Sequence, residues 1–102
     1  MADNQFWRNA IGRLAFSIGR APADSYRPMC EVVAATLDLV PQAGLVSNGY
    51  DIVFQDYRRG EQVVGLEWDN WMGYTVVAKT LESEPLVQEI AAWLLQSDWA
   101  NE

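Results

Sequence analysis

The sequence contains no histidine and a single cysteine, Cys30, among 102 residues. Histidine is the commonest general acid–base at neutral pH and the commonest metal ligand, so both roles lose their usual residue. One cysteine cannot form a disulfide within the chain, and a nucleophilic thiol needs a basic neighbour that histidine often supplies. Cys30 falls in a helical pattern, where we expect a small buried side chain. This cysteine content fits the reducing cytoplasm.

Membrane, secretion and nucleotide signals are also missing. No apolar run approaches the roughly 18 residues that a membrane span needs, and the first residues do not have the pattern of a secretory signal. The sequence has neither a phosphate-binding P-loop nor a Gly-x-Ser-x-Gly elbow. Four carboxylates, those of Asp51, Asp56, Glu67 and Asp69, could offer oxygens to calcium, but no loop has EF-hand spacing. We therefore expect a cytoplasmic protein with no cofactor and no metal.

What the chain has in excess is negative charge, and that charge is unevenly placed. The net charge is −7: residues 1–28 carry four arginines and two aspartates, whereas residues 29–102 carry three basic and twelve acidic side chains. An acidic body repels nucleic acid. The same charge would attract a basic protein, or would serve only to keep the protein soluble.

The pattern of apolar residues predicts a single α+β domain over residues 1–102. We expect two N-terminal helices at residues 4–18 and 26–38, with Ser25 capping the second helix. An antiparallel meander of three or four strands follows, at residues 45–47, 51–57, 61–68 and 71–79. A C-terminal helix then begins near Ser83 or Glu84, with Pro85 in its first turn, and packs on one face of the sheet.

Two turn signals set the predicted register of the meander. A three-residue turn at residues 58–60 pairs Tyr57 with Glu61 and Phe54 with Val64, and a two-residue turn at residues 69–70 pairs Trp68 with Trp71. Side chains alternate along a strand, so this register sorts them onto two faces. The predicted helix-covered face carries Ile52, Phe54, Val64, Leu66, Trp68, Trp71, Thr75 and Val77. The opposite face carries Val53, Gln55, Tyr57, Val63, Gly65, Glu67, Met72, Tyr74, Val76 and Ala78.

The second of these faces is too apolar for a surface that only meets water, and such patches tend to mark interfaces. The predicted interface residues are Tyr57, Val63, Glu67, Met72, Tyr74 and Val76. Three occupants are open at this point: the first helix, a second copy that would make a homodimer, or another protein.

The densest cluster of polar and aromatic residues is the segment from Glu67 to Trp71. Its two carboxylates could serve as acid and base in a glycosidase-like site, although 102 residues offer little cleft for a sugar. The segment is more typical of a hairpin turn held by cross-strand tryptophan packing. It could also be a partner-binding loop, or a ligand site lined by Trp68, Asp69 and Trp71.

Five tryptophans, no histidine and an acidic body together favour recognition over catalysis. We expect a non-enzymatic protein-binding domain that self-associates through the less apolar sheet face. A sharper form of this hypothesis is a bacterial immunity-type or antitoxin-like inhibitor of a basic partner. The alternative is a small-ligand-binding domain with an aromatic pocket near Trp68, Trp71 and Tyr74.

Overall fold

The computed structural model describes residues 4–42, 44, 46–47 and 52–99. The strands are β1 (Asn4–Arg8), β2 (Leu14–Ile18), β3 (Val40–Pro41), β4 (Val46–Ser47), β5 (Ile52–Arg59), β6 (Gln62–Asp69) and β7 (Gly73–Ala78). The helices are α1 (Tyr26–Leu37) and α2 (Glu84–Leu95), and each is preceded by a short 3-10 turn. This arrangement confirms the predicted α+β class.

The described strands form one antiparallel sheet in the order β1-β2-β7-β6-β5-β3, and β4 also pairs with β5. The predicted meander is confirmed as the consecutive strands β5, β6 and β7. Val46 and Ser47 form part of the predicted strand at residues 45–47. Residues 45 and 51 and the predicted turn at residues 48–49 lie outside the described residues.

Both helices pack on the same face of the sheet, where they bury the core. The Tyr26 hydroxyl of α1 donates to the backbone carbonyl of Leu66 at 2.5 Å, which fastens α1 to β6. The largest fully buried side chains are Tyr74, Phe16, Ile18, Met29, Leu66, Leu86, Ile90, Leu94, Val33, Val64, Val76 and Val87. They come from both helices and from the three central strands, so the helices and the sheet share one core.

The two predicted helices that follow residue 25 are confirmed. α1 buries Met29, Cys30 and Val33 at helical spacing, and it ends at Asp38, whose left-handed backbone (φ 60°) terminates the helix. α2 begins at Glu84, next to Pro85 as expected. Ser25 does not cap α1 with its side chain, because its hydroxyl donates to the carbonyl of Pro22 at 2.6 Å.

The predicted helix at residues 4–18 is wrong: this segment is the hairpin of β1 and β2. Asn9 and Gly12 make the turn, since the Asn9 side-chain oxygen accepts the backbone N–H groups of Ile11 and Arg13, and Gly12 has φ 84°. Every residue of β2 is buried, so its sequence lacks the alternation that normally reveals a strand. The apolar residues of the segment 4–18 therefore match the spacing of a helix only by coincidence.

The predicted register of the meander is also wrong. The β5–β6 turn is Gly60-Glu61, closed by Arg59 and Gln62, and the β6–β7 loop spans residues 70–72, closed by Asp69 and Gly73. Each pairing therefore differs from the predicted one by three residues. An odd shift moves every side chain of the shifted strand to the other face.

The corrected register keeps the predicted faces of β6 and exchanges those of β5 and β7. Residues directly opposite in paired strands share a face. Tyr57 lies opposite Val64, Val76 opposite Leu66, and Tyr74 opposite Trp68, so all three belong to the helix-covered face. Phe54 on β5 and Thr75 on β7 are both paired with Glu67, so these residues belong to the face away from the helices. We call that opposite face, away from α1 and α2, the outer face.

Candidate functional site on the outer sheet face

The outer face is built from rows of side chains that cross the sheet. One row contains Trp7, Ala15, Val77, Gly65 and Asp56, and the next contains Gln5, Ser17, Thr75, Glu67 and Phe54. Val77 lies in the middle of the first row, between the small residues Ala15 and Gly65. The large indole of Trp7 at one end therefore rises above a low centre.

A hydrogen-bonded chain fixes one side of this hollow. The Trp7 indole Nε1–H donates to Ser17 Oγ at 2.9 Å, and Ser17 Oγ lies 2.8 Å from Thr75 Oγ1. Trp7 stands directly opposite Ala15, whose small side chain lets the indole extend over β2. Ala15, Ser17 and Thr75 are consequently almost inaccessible to water, although no described helix covers them.

The result is a trough of about 190 Å³ along β7. Its lining residues are Trp7, Asn9, Ile11, Glu67, Asp69, Thr75, Val77, Ala78 and Lys79. Trp7 and Ile11 supply apolar surface from the β1–β2 hairpin, and Ile11 is 73% exposed. Glu67 and Asp69 supply carboxylates from β6, on the opposite side of β7.

Among the described ion pairs, Lys79 is the cation that pairs with Glu67 and with Asp56. Its Nζ lies 3.5 Å from Glu67 Oε2 and 3.6 Å from Asp56 Oδ1. Both distances exceed the range of about 2.7–3.2 Å for an N–H···O hydrogen bond. The ion pairs Arg8–Glu84 and Arg59–Glu89 are much closer, at 2.8 and 2.7 Å. Lys79 therefore neutralises its two carboxylates only loosely.

Gly65 makes room for this ion pair. A Cβ atom at position 65 would lie 2.8 Å from both Glu67 Oε2 and Lys79 Cε, and 3.1 Å from Val77 Cγ1. The two approaches at 2.8 Å are closer than real Cβ contacts, so a side chain at position 65 would push the ends of Glu67 and Lys79 away. The absence of a side chain at Gly65 thus lets Lys79 and Glu67 lie close above the sheet.

Glu67 is the electrostatically unusual residue of the trough. Burial raises the pKa of its carboxyl above the ordinary value, and the nearby Lys79 ammonium lowers it without offsetting the burial. Asp56 and Asp69 add repulsion in the same direction. The charged form of Glu67 is therefore held at a cost, as in many binding and catalytic sites.

The structure separates the predicted interface residues into three groups. Val63 and Glu67 lie on the outer face, and Met72 is half-buried in the β6–β7 loop. Tyr57, Tyr74 and Val76 are buried on the helix-covered face, with exposures of 8%, 0% and 0%. The single face on which all six were expected is not formed, because β5 and β7 pair with β6 in a different register.

The three predicted ligand-binding residues point to different places. Trp68 is buried on the helix-covered face, where its indole N–H donates to the carbonyl of Ala21 at 2.8 Å. Trp71 is 76% exposed in the loop after β6. Asp69 Oδ1 accepts the backbone N–H groups of Trp71 and Met72, at 2.8 and 2.7 Å, and so shapes that loop. Of the three, Asp69 lines the trough.

A second hollow, of about 250 Å³, lies between α1 and β5. Tyr26, Arg27, Cys30, Glu31, Pro41, Val53, Gln55 and Tyr57 line it. Burial raises the pKa of Cys30 and raises the pKa of Tyr57 to about 12, so both groups stay protonated at neutral pH. The thiol lies 3.6 Å from the buried Tyr74 hydroxyl, which places it in the packing of the core.

The sequence did not point to several residues of the trough, among them Trp7 and Lys79. Trp7 was assigned to a helix, and its place on an edge strand depends on the turn at Asn9 and Gly12. The sequence predicts Lys79 as the last residue of a strand, whereas its ion pairs depend on the β6–β7 register. The Asn-x-x-Gly spacing of residues 9–12 is typical of a turn and could have indicated that Trp7 lies on a strand, whereas no local pattern places Lys79 beside Glu67.

Comparison with known proteins found no family model, curated protein or solved structure that matches this chain. Across the described ranges, no helix combines the length and the apolar character needed to cross a membrane. In the same part of the chain, no group of three or more Cys, Asp or Glu side chains is placed to hold a metal ion.

Proposed function

We propose that this protein is a non-enzymatic protein-binding domain whose outer sheet face docks a basic partner. The observation that carries the proposal is the trough between Trp7 and Glu67, in which apolar and acidic walls face each other. Around it, the carboxylates Asp56, Glu67 and Asp69 outnumber Lys79, the cation that pairs with two of them, and Arg58 lies on the same face opposite Val63. A positively charged surface is the complement of this arrangement, and such complementarity speeds encounter and selects partners.

The chemistry of the walls fits an arginine or lysine side chain of the partner. Its aliphatic stem would lie against Trp7 and Ile11, where an indole also attracts a cation. Its charged end would approach Glu67 and Asp69 across β7. Because Glu67 is partly buried, with 30% of its side chain exposed, an ion pair there is screened less than one on an open surface.

The size of the trough favours a side chain over a free small molecule. Pockets for small ligands are typically about 300–1,000 Å³, whereas this trough has about 190 Å³. The alternative aromatic pocket also has little support, because Trp68 and Tyr74 are buried under the helices and Trp71 lies exposed in a loop.

A second copy of the chain is the other protein occupant expected from the sequence. In a two-fold symmetric dimer the same patch meets itself. Glu67 and Asp69 would then face the like charges of the other copy, so charge complementarity favours a different, basic protein. Molecular mass in solution is the direct check for a dimer of the 11.5 kDa chain. A stable dimer that survives the charge-reversing change Glu67→Lys would indicate that the two copies associate through a face other than the outer face.

An immunity-type or antitoxin-like inhibitor in the bacterial cytoplasm is the most specific form of this proposal. Such an inhibitor covers a basic working surface of its target with carboxylates. The acidic excess of residues 29–102 would steer the two proteins together at low salt.

The proposal is tested with a fluorescent peptide of alternating arginine and glycine residues, by measuring its Kd at low and high salt. The Glu67→Gln variant should weaken binding several-fold, because it removes the carboxylate at the trough. Glu82→Gln is the matched control, because Glu82 is exposed next to α2 and its substitution removes the same charge. Equal loss in the two variants would mean that only net charge attracts the peptide, and the outer-face proposal would then fail.

A further inference from the structure

A second inference, which rests on the proposed function, concerns Lys79, the loosely held cation of the trough. We propose that Lys79 is an internal stand-in for the partner's basic side chain, and that the partner displaces it from Glu67. The proposal concerns regulation of the docking site: in the free protein, Lys79 occupies the position that the partner's cation takes in the complex.

The position of Lys79 supports this role. It follows the last residue of β7, and its backbone N–H donates to the carbonyl of Val63 at 3.0 Å, so the start of its side chain is fixed at the end of the trough. The side chain then lies above Gly65, close enough that a Cβ atom there would strike Lys79 Cε. Its ammonium reaches two carboxylates on two different strands, Asp56 on β5 and Glu67 on β6.

A partly exposed ion pair of this kind is weak, which permits exchange. Both N···O distances are 3.5 Å or more, whereas the Arg8–Glu84 and Arg59–Glu89 pairs on the helix side lie at 2.8 and 2.7 Å. About a third of the Lys79 side chain (36%) remains exposed, so it can swing into water without crossing the core. A partner arginine can make two parallel hydrogen bonds to one carboxylate, which a lysine ammonium cannot.

Displacement also accounts for the charge balance. With Lys79 in place, one ammonium is shared between Glu67 and Asp56, and burial still keeps the pKa of the Glu67 carboxyl raised. When an incoming guanidinium pairs with Glu67, Lys79 can remain near Asp56 or move out to solvent. Binding therefore exchanges one weak ion pair for a stronger one.

The test compares Lys79→Gln with Arg27→Gln, using the same arginine–glycine peptide. Arg27 is an exposed cation on α1, on the other side of the sheet from the trough, so both variants lower the net charge equally. If Lys79 competes with the peptide, Lys79→Gln should tighten the Kd by about fivefold more than Arg27→Gln does, the lower end of typical coupling between ligands. Unfolding of each variant in urea checks that the fold is intact.

The outcomes separate this inference from the proposed function. Equal Kd values in the two variants, with Glu67→Gln still weakening binding more than Glu82→Gln, would overturn the displacement by Lys79 and leave the docking face standing. Weaker binding in Lys79→Gln would show that Lys79 helps to build the site, which also overturns the inference. Loss of the difference between Glu67→Gln and Glu82→Gln would remove the docking face itself.

Discussion

The indole of Trp7 donates a hydrogen bond to Ser17 Oγ at 2.9 Å, and this contact joins the edge strand β1 to β2 on the outer face. Ser17 continues the contact to Thr75 on β7. The wall of the trough is therefore tied to the central strands through two hydroxyl groups. Trp7 serves both the fold and the proposed docking site.

Trp7→Phe should lower the free energy of unfolding by about 1 kcal/mol, because it keeps an aromatic ring and removes one hydrogen bond. Trp71→Phe is the matched control: Trp71 is 76% exposed, and a surface change of this kind stays within about 0.5 kcal/mol. Urea unfolding followed by circular dichroism measures both. Equal losses would contradict the assigned place of Trp7.

Gly73→Ala should destabilise the protein far more than Gly60→Ala. Both glycines have left-handed backbones, with φ values of 71° and 63°. At Gly60 an added Cβ meets nothing within 4 Å, so the cost is the conformational one of about 1–2 kcal/mol. At Gly73 it would lie 2.2 Å from the carbonyl oxygen of Ile18, which blocks the approach of β7 to β2. Similar urea midpoints for the two variants would show that β2 and β7 are not packed in this way.

Two Glu→Gln variants should change stability in opposite directions at pH 7. Burial raises the pKa of Glu67, so folding disfavours its charged form and Glu67→Gln should raise the free energy of unfolding. The hydrogen bond from Arg8, together with the backbone N–H of Leu14, lowers the pKa of Glu84, so Glu84→Gln should reduce that free energy. A variant that gains stability while it loses peptide binding is the mark of a residue kept for function.

The same pair gives a pH dependence with a defined sign. Glu84 contributes stability above its unfolded pKa of about 4.3, and that contribution is lost as the pH falls through its lowered folded value. Glu67 opposes folding at neutral pH, and this cost disappears as the pH falls through its raised folded value. Unfolding curves from neutral to acidic pH should therefore show both variants converging on the unmodified protein. A difference that grows towards low pH in either variant would contradict the assigned environment.

The sequence was sufficient for the elements whose signals are local. α1 and α2 carry a helical period together with proline or a left-handed residue at an end, and β5 to β7 are separated by recognisable turns. The first hairpin could not be recognised by period, because β2 is buried on both sides and lacks alternation. The three-residue differences in register came from turn lengths, which several short loops of this composition could satisfy.

The candidate site was predictable only where it depends on β6. The faces of that strand were right: Glu67 lies on the outer face as expected, and Asp69, a predicted ligand-binding residue, lines the trough beside it. The faces of β5 and β7 follow from the two turns, and Tyr57, Tyr74 and Val76 were therefore expected at a surface although they are buried. Trp7 and Lys79 reach the trough through contacts between distant segments, which no local pattern reports.

The most direct test of the docking face is a nitrogen-15 NMR titration of the full chain with the arginine–glycine peptide. We expect the largest shifts at the Trp7 indole N–H and at the backbone amides of Glu67 and Thr75, with α1 and α2 almost unchanged. The same peptide with glutamate in place of arginine should shift none of them. Shifts concentrated around Arg27 and Glu31 on α1, or spread evenly over the surface, would contradict the proposal that the trough receives a basic side chain.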